Sequence, residues 1–149
     1  MVPYLTIKEQ EWLRANHPKL FYYADSGHII GDFDFRATFS NVTIKDRYEI
    51  DIALFERDFV LPTVYVTNNR IERARHKLGR ARADMHIYED NSICLIRPDK
   101  VKDYYPHLIV TLPKFMYHLT TYFYWQSYLE IYGCEPWKGE EHGLPFRLK

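Results

Sequence analysis

The order of periodicities along the chain predicts an α+β fold. A helical stretch comes first, and alternating strand-like runs joined by short turns follow. The longest helix comes last, after a segment with no regular period. Consecutive alternating runs with short turns point to an antiparallel meander. The length, 149 residues, fits a single domain spanning residues 1–149.

Residues 6–16 read as the first helix. Thr6 is a capping residue and Glu9 stands three positions on, the spacing of a capping box. Ile7, Trp12 and Leu13 give a narrow apolar side, and His17-Pro18 stops the helix because the residue before proline avoids helical geometry. A strand beginning at Phe21 turns at Ser26-Gly27 into residues 28–40. There Phe33, Phe35, Ala37 and Phe39 alternate with Asp32, Asp34, Arg36 and Thr38. Tyr48, Ile50, Ile52 and Leu54 alternate in the next run, and Pro62 precedes the short run Val64-Tyr65-Val66. A period of two makes each strand half buried. Residues 112–132 read as the longest helix, with Pro113 in its first turn and Gly133 just past its end. Phe115, Leu119, Tyr122, Phe123, Gln126 and Leu129 fall on or near one stripe of it.

Composition excludes several function classes. Apolar residues at 46% support a packed core, so the chain is not intrinsically disordered. Twenty basic residues balance twenty acidic ones, which argues against direct nucleic-acid binding. Lys114, His118, Gln126 and Glu130 interrupt the most apolar stretch, so no membrane span is expected. The N-terminus shows no signal-peptide pattern, and two cysteines are too few for a secreted disulfide scaffold. A cytoplasmic protein with reduced thiols is the expectation. His86, Cys94, Cys134 and His142 lack paired zinc-ligand spacing, so no metal is expected, and no cofactor is implied.

Residues 68–83 carry Arg70, Arg73, Arg75, Lys77, Arg80 and Arg82 against the single acid Glu72. A solvated loop is the plain reading of this run. The functional one is a docking surface for an acidic partner, formed by Arg73, Arg75, Arg80 and Arg82.

Cys94 is the candidate nucleophile. It lies in the polar, aperiodic run His86-Ile87-Tyr88-Glu89-Asp90-Asn91-Ser92-Ile93-Cys94-Leu95. A thiol on a polar loop is unusual, because free cysteine is usually buried. A thioester carrier needs a thiol that a large acyl donor can reach, and hydrogen-bond donors for the oxyanion formed in transfer. Tyr88, Asn91 and Ser92 are such donors. The competing reading is a small core residue between Ile93 and Leu95. A hydrolase with a Cys94–His86 dyad is a further alternative and requires the two side chains within hydrogen-bond reach.

Residues 59–66, Phe-Val-Leu-Pro-Thr-Val-Tyr-Val, then His86 and then Ser92-Ile93-Cys94-Leu95, resemble the ubiquitin-conjugating enzyme fold. The helix, strands, active site and helix follow that family's order across most of the chain. His86-x-Tyr88, Ser92-x-Cys94-Leu95 and Trp137-x-Gly139-x-x-His142 resemble the bacterial members found in antiphage operons of the cyclic-oligonucleotide signalling type (CBASS). The resemblance implies that Cys94 accepts the C-terminal carboxyl of a protein as a thioester and passes it to an amine. It implies as partner a cGAS-like nucleotidyltransferase encoded nearby, whose C-terminus is the acyl group. It also implies a stand-alone enzyme with no fused activating domain. One departure matters: Ile87-Tyr88 stands where the family has Pro-Asn, so the usual oxyanion asparagine is missing. Tyr88 or Asn91 is expected in that role, with His86 nearby. A non-catalytic interaction module of the same fold is the alternative.

Overall fold

A computed structural model describes residues 4–54, 61–96 and 98–138. The first helix, α1 (Ile7–Asn16), starts as its sequence dictates. Thr6 Oγ1 accepts the Glu9 N–H at 3.1 Å, and Glu9 Oε1 accepts the Thr6 N–H at 3.0 Å. The reciprocal pair satisfies two N–H groups that have no helical partner. The other carboxylate oxygen of Glu9 accepts the N–H of Leu112 at 3.1 Å, so one side chain serves the starts of two helices.

Strands β1 (Leu20–Tyr23), β2 (His28–Phe39), β3 (Val42–Ala53) and β4 (Thr63–Val66) pair antiparallel in chain order. The α+β architecture and the meander are therefore as expected. Period-two alternation decides the faces. Phe33, Phe35, Ile44, Tyr48, Ile50, Ile52 and Val64 are buried, while Asp34, Arg36 and Lys45 face outward. Gly31 has φ +144°, and a Cβ there would lie 2.2 Å from the Lys19 carbonyl oxygen. That same oxygen accepts the Asp32 N–H at 3.1 Å, so only glycine lets β1 and β2 approach.

The long helix α4 (Leu112–Tyr132) keeps its expected ends, with Pro113 in the first turn and Gly133 left-handed at φ +74°. It lies against the inner sheet face, where Phe123 stacks on Tyr48 at 4.3 Å and approaches Phe33 at 5.5 Å. The burial is broader than one stripe: every residue from Thr121 to Ser127 is buried. Half-polar aromatics make this possible because each polar tip finds an acceptor. Tyr124 Oη donates to the Val42 carbonyl at 2.6 Å, and Trp125 Nε1 donates to the Trp137 carbonyl at 3.1 Å.

The basic run departs from the loop reading. Residues 70–78 form a helix, α2 (Arg70–Leu78), closed by Gly79 at φ +66°. Ile71 and Ala74 are buried and Leu78 packs against the core, a helical spacing that the arginine excess obscured. A short helix, α3 (Val101–Tyr104), follows the Cys94 segment and leads towards α4. Among the described residues no helix is long and apolar enough to cross a membrane.

Candidate active site

The Cys94 segment is a pinned hairpin beside β4, not a free loop. The Tyr88 N–H donates to the Ser92 carbonyl at 2.8 Å, and the Asn91 N–H donates to the Tyr88 carbonyl at 3.0 Å. Asn91 takes the left-handed conformation at φ +69°, which a three-residue hairpin loop requires and asparagine tolerates. Asp90 Oδ1 accepts both the Ser92 N–H at 2.9 Å and the Ser92 hydroxyl at 2.6 Å, which fixes the tip. The Ile93 N–H then donates to the Val64 carbonyl at 2.9 Å and ties the hairpin to β4. Ile93, Leu95 and Ile96 are buried, and they draw Cys94 in with them.

Cys94 is only 4% exposed, contrary to the accessible loop thiol expected from its polar neighbours. The exposed ones are residues 88–91 at the hairpin tip; from Ser92 to Ile96 the chain is buried. The Tyr88 hydroxyl donates to Cys94 Sγ at 3.2 Å, while the Tyr88 ring itself is substantially exposed. Burial pushes the Cys94 thiol above its ordinary value, and the Tyr88 hydrogen bond only partly opposes this. Tyr88 is also raised, first by burial and then by its contact with Cys94. It therefore stays protonated, as an O–H donor beside sulfur.

His86 supports the cysteine through its main chain. It is left-handed at φ +55°, ψ +45°, and its carbonyl accepts the Cys94 N–H at 2.8 Å. Its ring meets Trp125 edge-on at 4.9 Å. The same His86 carbonyl accepts the Tyr122 hydroxyl at 2.8 Å. Gln126 Nε2 donates to the Met85 carbonyl at 2.6 Å and to Tyr122 Oη at 3.1 Å. Tyr122 and Gln126 were visible in the sequence only as members of the helix stripe. The one signal there was a glutamine on an otherwise apolar face.

The structure thus brings Cys94, Tyr88 and the His86 main chain together, with Asn91 at the exposed tip of the same hairpin. Of the four arginines expected at a docking surface, three already have partners. Glu72 pairs with Arg75 and with Arg82, each at 3.0 Å. Arg80 pairs with Glu135 at 3.5 Å and donates to the Asp84 carbonyl at 2.8 Å. Arg73 is exposed on α2. Trp137 packs on Phe39 at 4.8 Å and stacks on Tyr124 at 5.9 Å, which anchors the start of the tail to α4. Phe59, Val60, Gly139 and His142 lie outside the described residues. Among the described residues no three His, Cys, Asp or Glu side chains stand close enough to hold a metal ion.

No match was found among curated proteins or among solved structures. A family model described as Type II CBASS E2 protein matches residues 9–143. That stretch takes in the sheet, α2, the Cys94 hairpin and the whole of α4. Since it covers most of the chain, the protein belongs to the Type II CBASS E2 family.

Proposed function

We propose that Cys94 carries a protein C-terminus as a thioester and passes it to an amine, acting on a cGAS-like nucleotidyltransferase in bacterial antiphage defence. The family supports an E2-like conjugating role in CBASS. The single observation that carries the chemistry is the Tyr88 hydroxyl donating to Cys94 Sγ at 3.2 Å. The carboxyl arrives already activated. Sγ gives up its proton and attacks the acyl carbon, the activating group leaves, and the thioester remains. An amine then attacks the same carbon, and Cys94 departs and regains a proton. Each step passes through an oxyanion on the acyl carbon bonded to Sγ, and the Tyr88 hydroxyl, 3.2 Å from that sulfur, is on hand as its donor. A tyrosine that keeps its proton is a fit donor there, and Asn91 on the same hairpin is the second candidate. The Cys94 N–H is committed to the His86 carbonyl and does not serve this purpose in the conformation described.

The burial of Cys94 favours a second reading, a non-catalytic module that binds its partner without chemistry. One experiment separates the two. Co-expressed with its operon neighbours, the wild type should give a thiol-sensitive adduct on a non-reducing gel, absent in Cys94→Ala and intact in Cys134→Ala. Cys94→Ser should trap a more stable ester. Mass spectrometry should find the nucleotidyltransferase C-terminal peptide on residue 94. A band that survives in Cys94→Ala sinks the transferase reading, and partner capture without any adduct supports the binding module.

A further inference from the structure

The geometry points to Tyr122 and Gln126 as positioning residues that set Cys94 from inside the core, through the shared carbonyl of His86. The inference rests on the reading of Cys94 as an acyl carrier. Four hydrogen bonds form the link. Gln126 Nε2 donates to Tyr122 Oη at 3.1 Å, and Tyr122 Oη donates to the His86 carbonyl at 2.8 Å. That carbonyl also takes the Cys94 N–H at 2.8 Å, and Gln126 holds the neighbouring Met85 carbonyl at 2.6 Å. Tyr122 is fully buried and Gln126 is 3% exposed, so water does not replace these bonds when they are lost.

The link has a purpose beyond packing. His86 is a non-glycine residue held in the left-handed region, a conformation that persists only where its surroundings over-determine it. Two helix side chains grip both carbonyls of this turn. With the turn fixed, the Cys94 main chain is fixed, and Sγ sits within reach of Tyr88. The same link keeps the Cys94 N–H engaged, which leaves oxyanion stabilisation to side chains of the hairpin. Loss of the Tyr122 hydroxyl relaxes the turn, so the thiol becomes easier for a small reagent to reach and worse aligned for a directed acyl donor. Those two effects have opposite signs, and a cavity elsewhere in α4 that leaves the turn gripped is expected to produce neither.

Tyr122→Phe keeps the ring and removes only the hydroxyl. The test uses the full chain with Cys134→Ala, so that Cys94 is the sole thiol. Iodoacetamide should alkylate Cys94 at least about tenfold faster in Tyr122→Phe than in the parent, while single-turnover loading should fall at least about tenfold with partner affinity unchanged. Gln126→Leu should move both rates in the same directions. Leu119→Ala, a cavity in the same helix with an equal or larger loss of Tm, should leave loading near the parent rate. Loading in Tyr122→Phe at the parent rate overturns the inference, as does an equal loss in Leu119→Ala. If the parent itself never loads, the transferase reading fails, and the positioning role is then decided by alkylation alone: an unchanged rate in Tyr122→Phe overturns it.

Discussion

A thiol 4% exposed with a tyrosine hydroxyl on its sulfur has a defined chemical character. Burial raises the cost of the thiolate, and the Tyr88 O–H lowers part of that cost by donating to it. Tyr88→Phe keeps the ring as cover and removes the donor. The pH midpoint of Cys94 alkylation should therefore move up in the variant, and acyl loading should slow by about 10–100-fold if the hydroxyl also serves the oxyanion. A midpoint that moves down would show that the hydrogen bond does not stabilise the thiolate. The position of Cys94 as the centre of interest was legible from Ser92-Ile93-Cys94-Leu95. Its burial was not, because Asp90 and Asn91 make the whole segment look wet, although they occupy only the hairpin tip. The roles of Tyr122 and Gln126 were equally hidden: nothing local ties a helix stripe to a carbonyl 36 residues upstream.

Among the elements, α4 was readable to the residue because Pro113 and Gly133 mark its ends chemically. α2 was not, because only Ile71, Ala74 and Leu78 carry its apolar face among charged residues. Its charges now sort by partner. Arg75 and Arg82 share Glu72, whose carboxyl is held low by Arg75 first and by Arg82 as well. Arg73 and Lys77 are exposed, four residues apart on the same helix. Reversing Arg73 and Lys77 to Glu should weaken partner binding and flatten its salt dependence while Tm holds. Reversing Arg75 and Arg82 should instead lower Tm, by breaking ion pairs each worth about 0.3–1 kcal/mol and placing like charges beside Glu72. Calorimetry on both pairs, with binding measured at two salt concentrations, distinguishes a docking face from an internal clamp.

At the scale of the molecule, sheet and helices are joined by one polar network. Tyr48 Oη donates to Ser127 Oγ at 2.9 Å, and Ser127 donates to Asp46 at 2.6 Å. Arg70 grips Asp46 with two bonds at 3.0 and 2.5 Å, reaches Glu130 at 3.0 Å and lies 4.2 Å over the Tyr48 ring. Burial works against the Asp46 carboxylate, but the bonds from Arg70, Ser127 and the Arg47 N–H outweigh it, so the group is held below its ordinary value of 3.8. A depressed carboxyl stabilises the fold fully above that ordinary value and stops doing so as pH falls through its lower folded value. Asp46→Asn should cost ~2 kcal/mol at neutral pH, and the gap from wild type should close as pH drops below about 4. A gap that stays constant in urea titrations down to pH 3 would show that the Asp46 charge is not what the network uses. The fold class itself was legible because periodicity is local, whereas this network joins residues as much as 81 positions apart.

The double duty of Glu9 bears on how the chain reaches its fold. Its contact with Leu112 joins residues 103 positions apart, yet its contact with Thr6 closes within three. The local contact forms quickly and cheaply, whereas the distant one waits on closure of a long loop. During synthesis, then, the Thr6–Glu9 box is complete in sequence long before the residues of α4 have been made, although a ten-residue helix is only marginal until packing holds it. The carboxylate that meets the start of α4 thus belongs to a residue made 103 positions earlier, and α4 is in turn the helix from which Tyr122 and Gln126 reach the turn beneath Cys94.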